Sequence, residues 1–392
     1  MNKKLMAVAV AGALVAPAVA FAQASTVQVY GTIIVNYNWL NQGNHRVETD
    51  MINAHDSGLG FKGEENLGGG LSAWFQCEST MDVTGQSSAN TGTVTGSVSS
   101  APATSWCGRN SAVGLKGAFG NIFFGNWDAA SKIAMGGFRP FSTSGAYGMG
   151  SQLWNGSASN ATNTSNVSGF SRRQANLISY ATPAMSGFQG NVSVSAANEA
   201  TALTVGATIT KARLYSVGAT YTNGPFAAGL GYEVHKDYNP AAAAAYTGGN
   251  DRNLNLAAAF TIAGKYKISA IYSDMKYETT ATTDLKQKSW GIYGDLALAG
   301  PHKVRLGYTV AGSTSGTGAT VGSLQGNAGA GNTGSKLYAV QYAYAMSKRT
   351  ELNAGYAKLN NESAAKYTLQ SLGTGTLGQN QSAWVLGVKH TF

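Results

Sequence analysis

The chain is predicted to be all-β: a transmembrane antiparallel up-and-down β-barrel of about sixteen strands. Three observations predict it. Apolar and polar residues alternate with a period of two through one segment after another. Short turns alternate with long connections rich in Gly, Ser, Thr and Asn, the asymmetry of a barrel between its two sides. Beyond residue 23 no uncharged apolar run approaches the length of a spanning helix. Alternation dilutes the mean hydropathy to -0.11, yet still presents an unbroken apolar belt to lipid. Only 11% of the residues are charged, against about a quarter in an average soluble domain.

Val27 to Leu40 is the clearest strand. Val27, Val29, Ile33, Val35, Tyr37 and Trp39 share one parity, with Gln28, Thr32, Asn36 and Asn38 on the other. Hairpins follow. Ser57 to Gly63 and Leu71 to Ser79 flank a turn at Glu64 to Gly70, and Arg109 to Lys116 and Asn121 to Gly125 flank Gly117 to Gly120. Next come Arg173 to Tyr180, Phe188 to Ala196, Arg213 to Tyr221, Phe226 to His235, Asn253 to Ile262 and Tyr266 to Tyr277. Lys288 to Leu298, His302 to Val310, Lys336 to Ala345, Thr350 to Leu359 and Ser382 to Phe392 complete the set. The total is even, as in bacterial outer-membrane barrels. Every proline after residue 22 falls in a loop or turn, where the missing N–H breaks no ladder. One stretch, Trp127 to Gly169, has no period over more than forty residues; an insertion of that length in a compact domain is normally functional or disordered, and here it reads as functional.

Residues 1 to 22 read as a secretory signal, with Lys3 and Lys4, an uncharged run from Leu5 to Val19 and Ala20-Phe21-Ala22 before the cut. The run is too short for a membrane anchor. Residues 23 to 392 form the single barrel, without a further domain boundary. Loss of Lys3 and Lys4 brings the formal net charge from +9 to about +7, a balance that suits small anions or anionic headgroups; export argues against nucleic acid. Cys77 and Cys107 flank one long loop in a disulfide-permissive chain. They either clamp that loop or stay as two buried thiols.

Residues Gly60-Phe61-Lys62-Gly63-Glu64-Glu65-Asn66-Leu67-Gly68-Gly69-Gly70-Leu71 with Phe75-Gln76, Gly108-Arg109-Asn110, Val113-Gly114-Leu115-Lys116-Gly117 with Phe119-Gly120, and the terminal Gly387-Val388-Lys389-His390-Thr391-Phe392 form a recognisable order. In it the chain resembles the general diffusion porins of Gram-negative outer membranes, in the branch typical of beta-proteobacteria. The resemblance implies a homotrimer of sixteen-stranded barrels with periplasmic termini. It implies that Trp127 to Gly169 is the third external loop, folded inward to narrow the pore. It also implies that Phe392, with His390 and the alternate residues before it, is a signal read by the outer-membrane assembly machinery.

The family's constriction sets basic wall residues opposite the third loop, and Arg109 and Arg173 match two of them. Where the family commonly has an arginine before Gly-Phe-Lys-Gly, this chain has Gly58. Lys62, Lys303 and Arg305, on the polar parity of their strands, are candidates to replace it. The loop carries one acid, Asp128, beside Lys132 and Arg139. A positive local balance favours anions. These bases otherwise read as rim charges facing lipopolysaccharide phosphates.

Enzyme chemistry finds no support. Gly58 to Gly63 fits G-x-G-x-x-G, but no helix follows it, so the dinucleotide reading fails. His45, His55, His235, His302 and His390 have no metal-ligand spacing. No cofactor or metal is implied. The expected function is passive diffusion of ions and small hydrophilic solutes. A substrate-selective channel and a surface adhesin with a plugged bore are the alternatives.

Overall fold

The computed structural model describes residues 27–43, 49–54, 56–81, 83–84, 106–141, 146–147, 169–170, 172–196, 204–205, 208–209, 213–237, 249–318, 331–369 and 376–392. The expected leader, residues 1 to 22, and most of the longest loops lie outside them.

Sixteen strands close into one antiparallel barrel. β1 is Gln28–Asn41, and β2 comes in two segments, Thr49–Asn53 and Gly58–Gly68. β3 is Leu71–Thr80, β4 Ser111–Gly117, β5 Gly120–Asp128, β6 Arg173–Ala181, β7 Phe188–Ser195 and β8 Arg213–Asn223. β9 is Phe226–Lys236, β10 Asn250–Ile262, β11 Tyr266–Glu278 and β12 Asp284–Ala297. β13 is His302–Ala311, β14 Ser335–Ala345, β15 Thr350–Asn361 and β16 Gln381–Thr391. Each strand pairs with its sequence neighbour, and β16 returns to β1 with Val35 opposite Val388 and Trp39 opposite Trp384. Closure leaves no sheet edge, so every ladder group in the hydrocarbon layer finds a partner.

Side-chain alternation separates two environments. Val113, Phe124, Ile178, Val217, Leu256, Ile268, Ile292, Val340 and Trp384 stand exposed on the outer face. Ser193, Ser216, Asn253, Asn255, Ser273, Ser289 and Asn353 are buried on the inner face. An apolar exterior over a polar interior inverts the soluble pattern, and a lipid solvent requires it. No helix among the described residues is long and apolar enough to cross a membrane.

One boundary that differs from the sequence expectation is the end of β5, which runs on to Asp128, with Trp127 opposite Gln174 and Asp128 opposite Arg173, so these two residues belong to the wall and the insertion starts after them. Three further differences bear on the site. β2 runs on through Glu64 to Gly68, where charge density suggests a turn, and the reversal is confined to glycines at φ 86°, 61° and 79° in Gly68, Gly69 and Gly70. Glu64 lies opposite Trp74 and ion-pairs with Lys116 at 2.5 Å. A strand facing water can carry such charge. β12 begins at Asp284 instead of Lys288, because its charged start extends the ladder with Glu278 opposite Asp284. β4 begins at Ser111, which leaves Arg109 in the segment before it.

Candidate functional site

The insertion begins where β5 ends. Ala130–Met135 forms a single short helix, α1, followed by a 3-10 turn at Gly136–Phe138. Six residues cannot hold a helix in water; the barrel wall holds this one. Ala130, Ser131, Ala134 and Met135 are buried. Beneath them the wall is bare: a Cβ on Gly218 would come within 2.2 Å of the Ala130 carbonyl oxygen, and one on Gly231 within 2.5 Å of Ser131 Oγ. The Ser131 N–H donates to Ser216 Oγ (2.8 Å), and Asn255 Nδ2 donates to Ser131 Oγ (3.2 Å). Ser269 Oγ donates to the Phe138 carbonyl at 2.6 Å, and Lys267 Nζ bonds the Gly137 carbonyl. Met135 and Phe138 pack with Ala257, Ala259, Ile271 and Tyr293.

The chain then runs along the wall. Phe141 covers Gly307 and stacks on Tyr147 with ring centroids 5.4 Å apart, and the Tyr147 hydroxyl sits over Gly355. Phe170, near the end of the insertion, stacks on buried His235 at 4.5 Å. The described part of the insertion thus lies inside the barrel against β8 to β15. Across the bore from it stands the arc from β1 to β6.

A charge network joins that arc to the start of the insertion. Arg109 Nε donates to Glu78 Oε1 at 2.5 Å, and Tyr30 donates to Glu78 Oε2 at 3.1 Å. Lys62 Nζ lies 5.0 Å over the Tyr30 ring, a cation–π contact. Arg173 Nε donates to Asn110 Oδ1 at 2.7 Å and stands 3.5 Å from Asp128 Oδ1. Lys132 donates to the same Asp128 oxygen at 2.7 Å, while Asn110 Nδ2 donates to Oδ2 at 3.2 Å. Arg139 is buried within the field of Tyr293, Asp128 and Asp56. Burial pushes the Arg139 guanidinium and the Lys132 ammonium below their ordinary ranges, and Asp128 opposes both shifts.

Lys303 and Arg305 occupy a separate arc. Arg305 forks onto Glu351 at 2.9 and 3.0 Å and donates to Gln341 at 2.7 Å. Lys303 stands 3.5 Å from Asp295. Tyr147 feels the Arg305 charge, while burial pushes its hydroxyl well above the usual tyrosine range. The structure therefore brings Arg109 and Lys62 together through Tyr30 and Glu78, gathers Arg173, Lys132 and Asn110 around Asp128, and sets Lys303 and Arg305 apart.

Sequence reasoning passed over Glu78, Asn110, Asp295 and Glu351. Parity could have found two of them: Glu78 shares its face with Gln76 and Trp74, and Glu351 shares its face with Asn353. Cys77 and Cys107 are bridged, with Cα atoms 4.6 Å apart. The bridge, the Cys107 N–H on Ser79 Oγ (3.0 Å) and the Arg109 N–H on the Glu78 carbonyl (2.8 Å) tie residues 107 to 109 to β3. Arg109 is thereby held beside its acid. Phe392 ends the last ladder, its N–H and carbonyl both bonded to Gly31 (3.0 and 3.1 Å), and the His390 ring bonds Thr350 at 3.0 Å.

A family model described as Gram-negative porin matches residues 7–364. Outer membrane porin protein 32 of Delftia acidovorans is 27% identical over 403 residues and aligns over 100% of both chains. Among solved structures, an anion-selective porin from Comamonas acidovorans superposes with a TM-score of 0.70 at 23% identity, covering 94% of this chain and 100% of that one. The trimer form of OmpT, an outer membrane protein of Vibrio cholerae, superposes with a TM-score of 0.62 at 14% identity, covering 94% and 100%. At such identities the superpositions speak for the fold. With the family match, they make this chain a member of the Gram-negative porin family, an outer-membrane β-barrel of the transport class and not an enzyme.

Proposed function

We propose that the chain forms an open, water-filled homotrimer for passive diffusion of ions and small hydrophilic solutes, and that it favours anions. One observation carries the anion preference. Around the bore between the third loop and the β1 to β6 arc, five cations (Lys62, Arg109, Lys132, Arg139 and Arg173) meet three carboxylates (Asp56, Glu78 and Asp128). In a narrow bore the sign of that residue sets the sign of the permeant ion. The arc at Arg305 is nearly balanced by Glu351 and Asp295, with Lys389 close to Glu351. Its contribution has the same sign but is smaller.

The trimer reading is supported by the apolar outer face of the first strands, where Val29, Phe75, Val113 and Phe124 are exposed, and by the trimer form among the superposed structures. Both ends of the barrel chain lie on the side of the short turns, consistent with periplasmic termini and outward-facing loops toward lipopolysaccharide. Purified, refolded protein in a planar bilayer under a potassium chloride gradient tests the reading. Steps in triplets that reverse toward the chloride potential are expected. Reversal toward the potassium potential would overturn the anion preference, and folded protein without conductance would overturn the channel.

A further inference from the structure

On the β1 to β5 arc, one step from the charge network toward the short turns, the bore wall holds a recess of about 340 Å³. That volume lies at the small-molecule end of ligand pockets. Gln28, Lys62, Glu64, Trp74, Gln76 and Lys116 line it. Its floor is the half-buried Trp74 indole. The ring rests on bare backbone, since a Cβ on Gly114 would come within 2.6 Å of the indole nitrogen. Phe123 and Trp127 wedge it at centroid distances of 5.6 and 5.7 Å, and Nε1 donates to Asn121 Oδ1 at 2.8 Å. An aromatic plate pinned on three sides loses no rotamer freedom when a flat solute stacks on it.

The two lysines of the recess differ. Lys116 is committed to Glu64 at 2.5 Å. Lys62 makes no ion pair among the described residues; its contact is the Tyr30 ring, which leaves its charge uncompensated. Glu64 faces Trp74 directly, and Lys62 faces Gln76 one step along β3. A solute stacked on the indole therefore meets an available cation at one edge and a neutralised pair at the other. The amides of Gln28 and Gln76 flank the cation.

We propose that this recess is a binding subsite for small ring-bearing carboxylates, with the ring on Trp74 and the carboxylate at Lys62. The proposal deepens the channel reading and rests on it for access through the bore. Benzoate added to one side of a bilayer should reduce the chloride current saturably. Acetate lacks the ring and benzyl alcohol lacks the charge, so neither should do so at the same concentration. Lys62→Gln and Trp74→Leu should each raise the half-blocking concentration by about tenfold, with Trp74→Phe in between as the variant that keeps the packing. Calorimetric titration of benzoate into the detergent-solubilised protein reads the subsite without any current. Equal action of acetate and benzoate, or unchanged benzoate affinity in both Lys62→Gln and Trp74→Leu, overturns the proposal. Calorimetric binding lost in both variants, from a protein that conducts nothing, keeps the subsite and removes the channel reading instead.

Discussion

Glu78 sits where a porin wall meets its own counter-charge. One oxygen holds Arg109 and the other accepts from Tyr30, so the carboxylate positions a cation and also cancels part of its field. Glu78→Gln separates the two effects, because the amide keeps the shape and one acceptor oxygen for Arg109 while losing the charge, and its NH2 can donate to the Tyr30 hydroxyl. A unit charge about 7 Å from a permeant ion in water is worth roughly 0.6 kcal/mol. Removing it favours chloride and disfavours potassium by that amount each, so the chloride-to-potassium permeability ratio should rise by up to roughly sevenfold, read as a shift of reversal potential toward chloride. A shift toward potassium would mean that Arg109 had left the bore, and that its tether matters more than its neutralisation. The sequence marked Arg109 through its Gly-Arg motif but not Glu78. A motif points to the cation it contains, whereas its partner is found only by counting parity along β3.

At the scale of elements, the strands were legible residue by residue, while the loop was legible as a stretch without a period and its seat on the wall was not. Each strand carries its own period of two, and that period reports which side meets lipid. Helix α1 has no such signature in Ala130 to Met135, because its stability comes from Gly218 on β8 and Gly231 on β9, about ninety residues away in sequence. Those glycines look like weak points when each strand is read alone. In the structure they are the seat of the third loop. Gly218→Val should then act on the pore and not on the barrel. The added carbons collide with the Ala130 carbonyl and displace α1 toward the bore axis, at an overpacking cost of about 1–3 kcal/mol. Single-channel records should show a smaller mean step with added sub-steps, while the heat-resistance of the folded barrel on a gel stays near that of the parent. An unchanged step would mean that the wall yields and the helix does not.

Across the whole molecule, closure joins residues more than 350 positions apart, and Phe392 takes part in it. Its backbone completes the ladder at Gly31, and a Cβ on Gly31 would meet the Phe392 ring at 2.4 Å. Gly31 is thus the recess in which the last ring lies. The outward row Trp384, Leu386 and Val388 leads up to it, which is also the pattern expected of a signal read by assembly machinery. Phe392→Ala distinguishes a structural role from a recognition role. The backbone bonds at Gly31 do not need the ring, and the ring remains 37% exposed, so in purified protein refolded into detergent the loss should be about 1–2 kcal/mol. That is small beside the continuous ladder of sixteen strands, and the melting temperature should barely move. In a Gram-negative host the same variant should accumulate several-fold less in the outer membrane, with the missing chains found unassembled. A matching defect in the refolding tube and in the cell would assign Phe392 to closure alone. Normal levels in both would leave the terminal row as nothing more than lipid-facing strand.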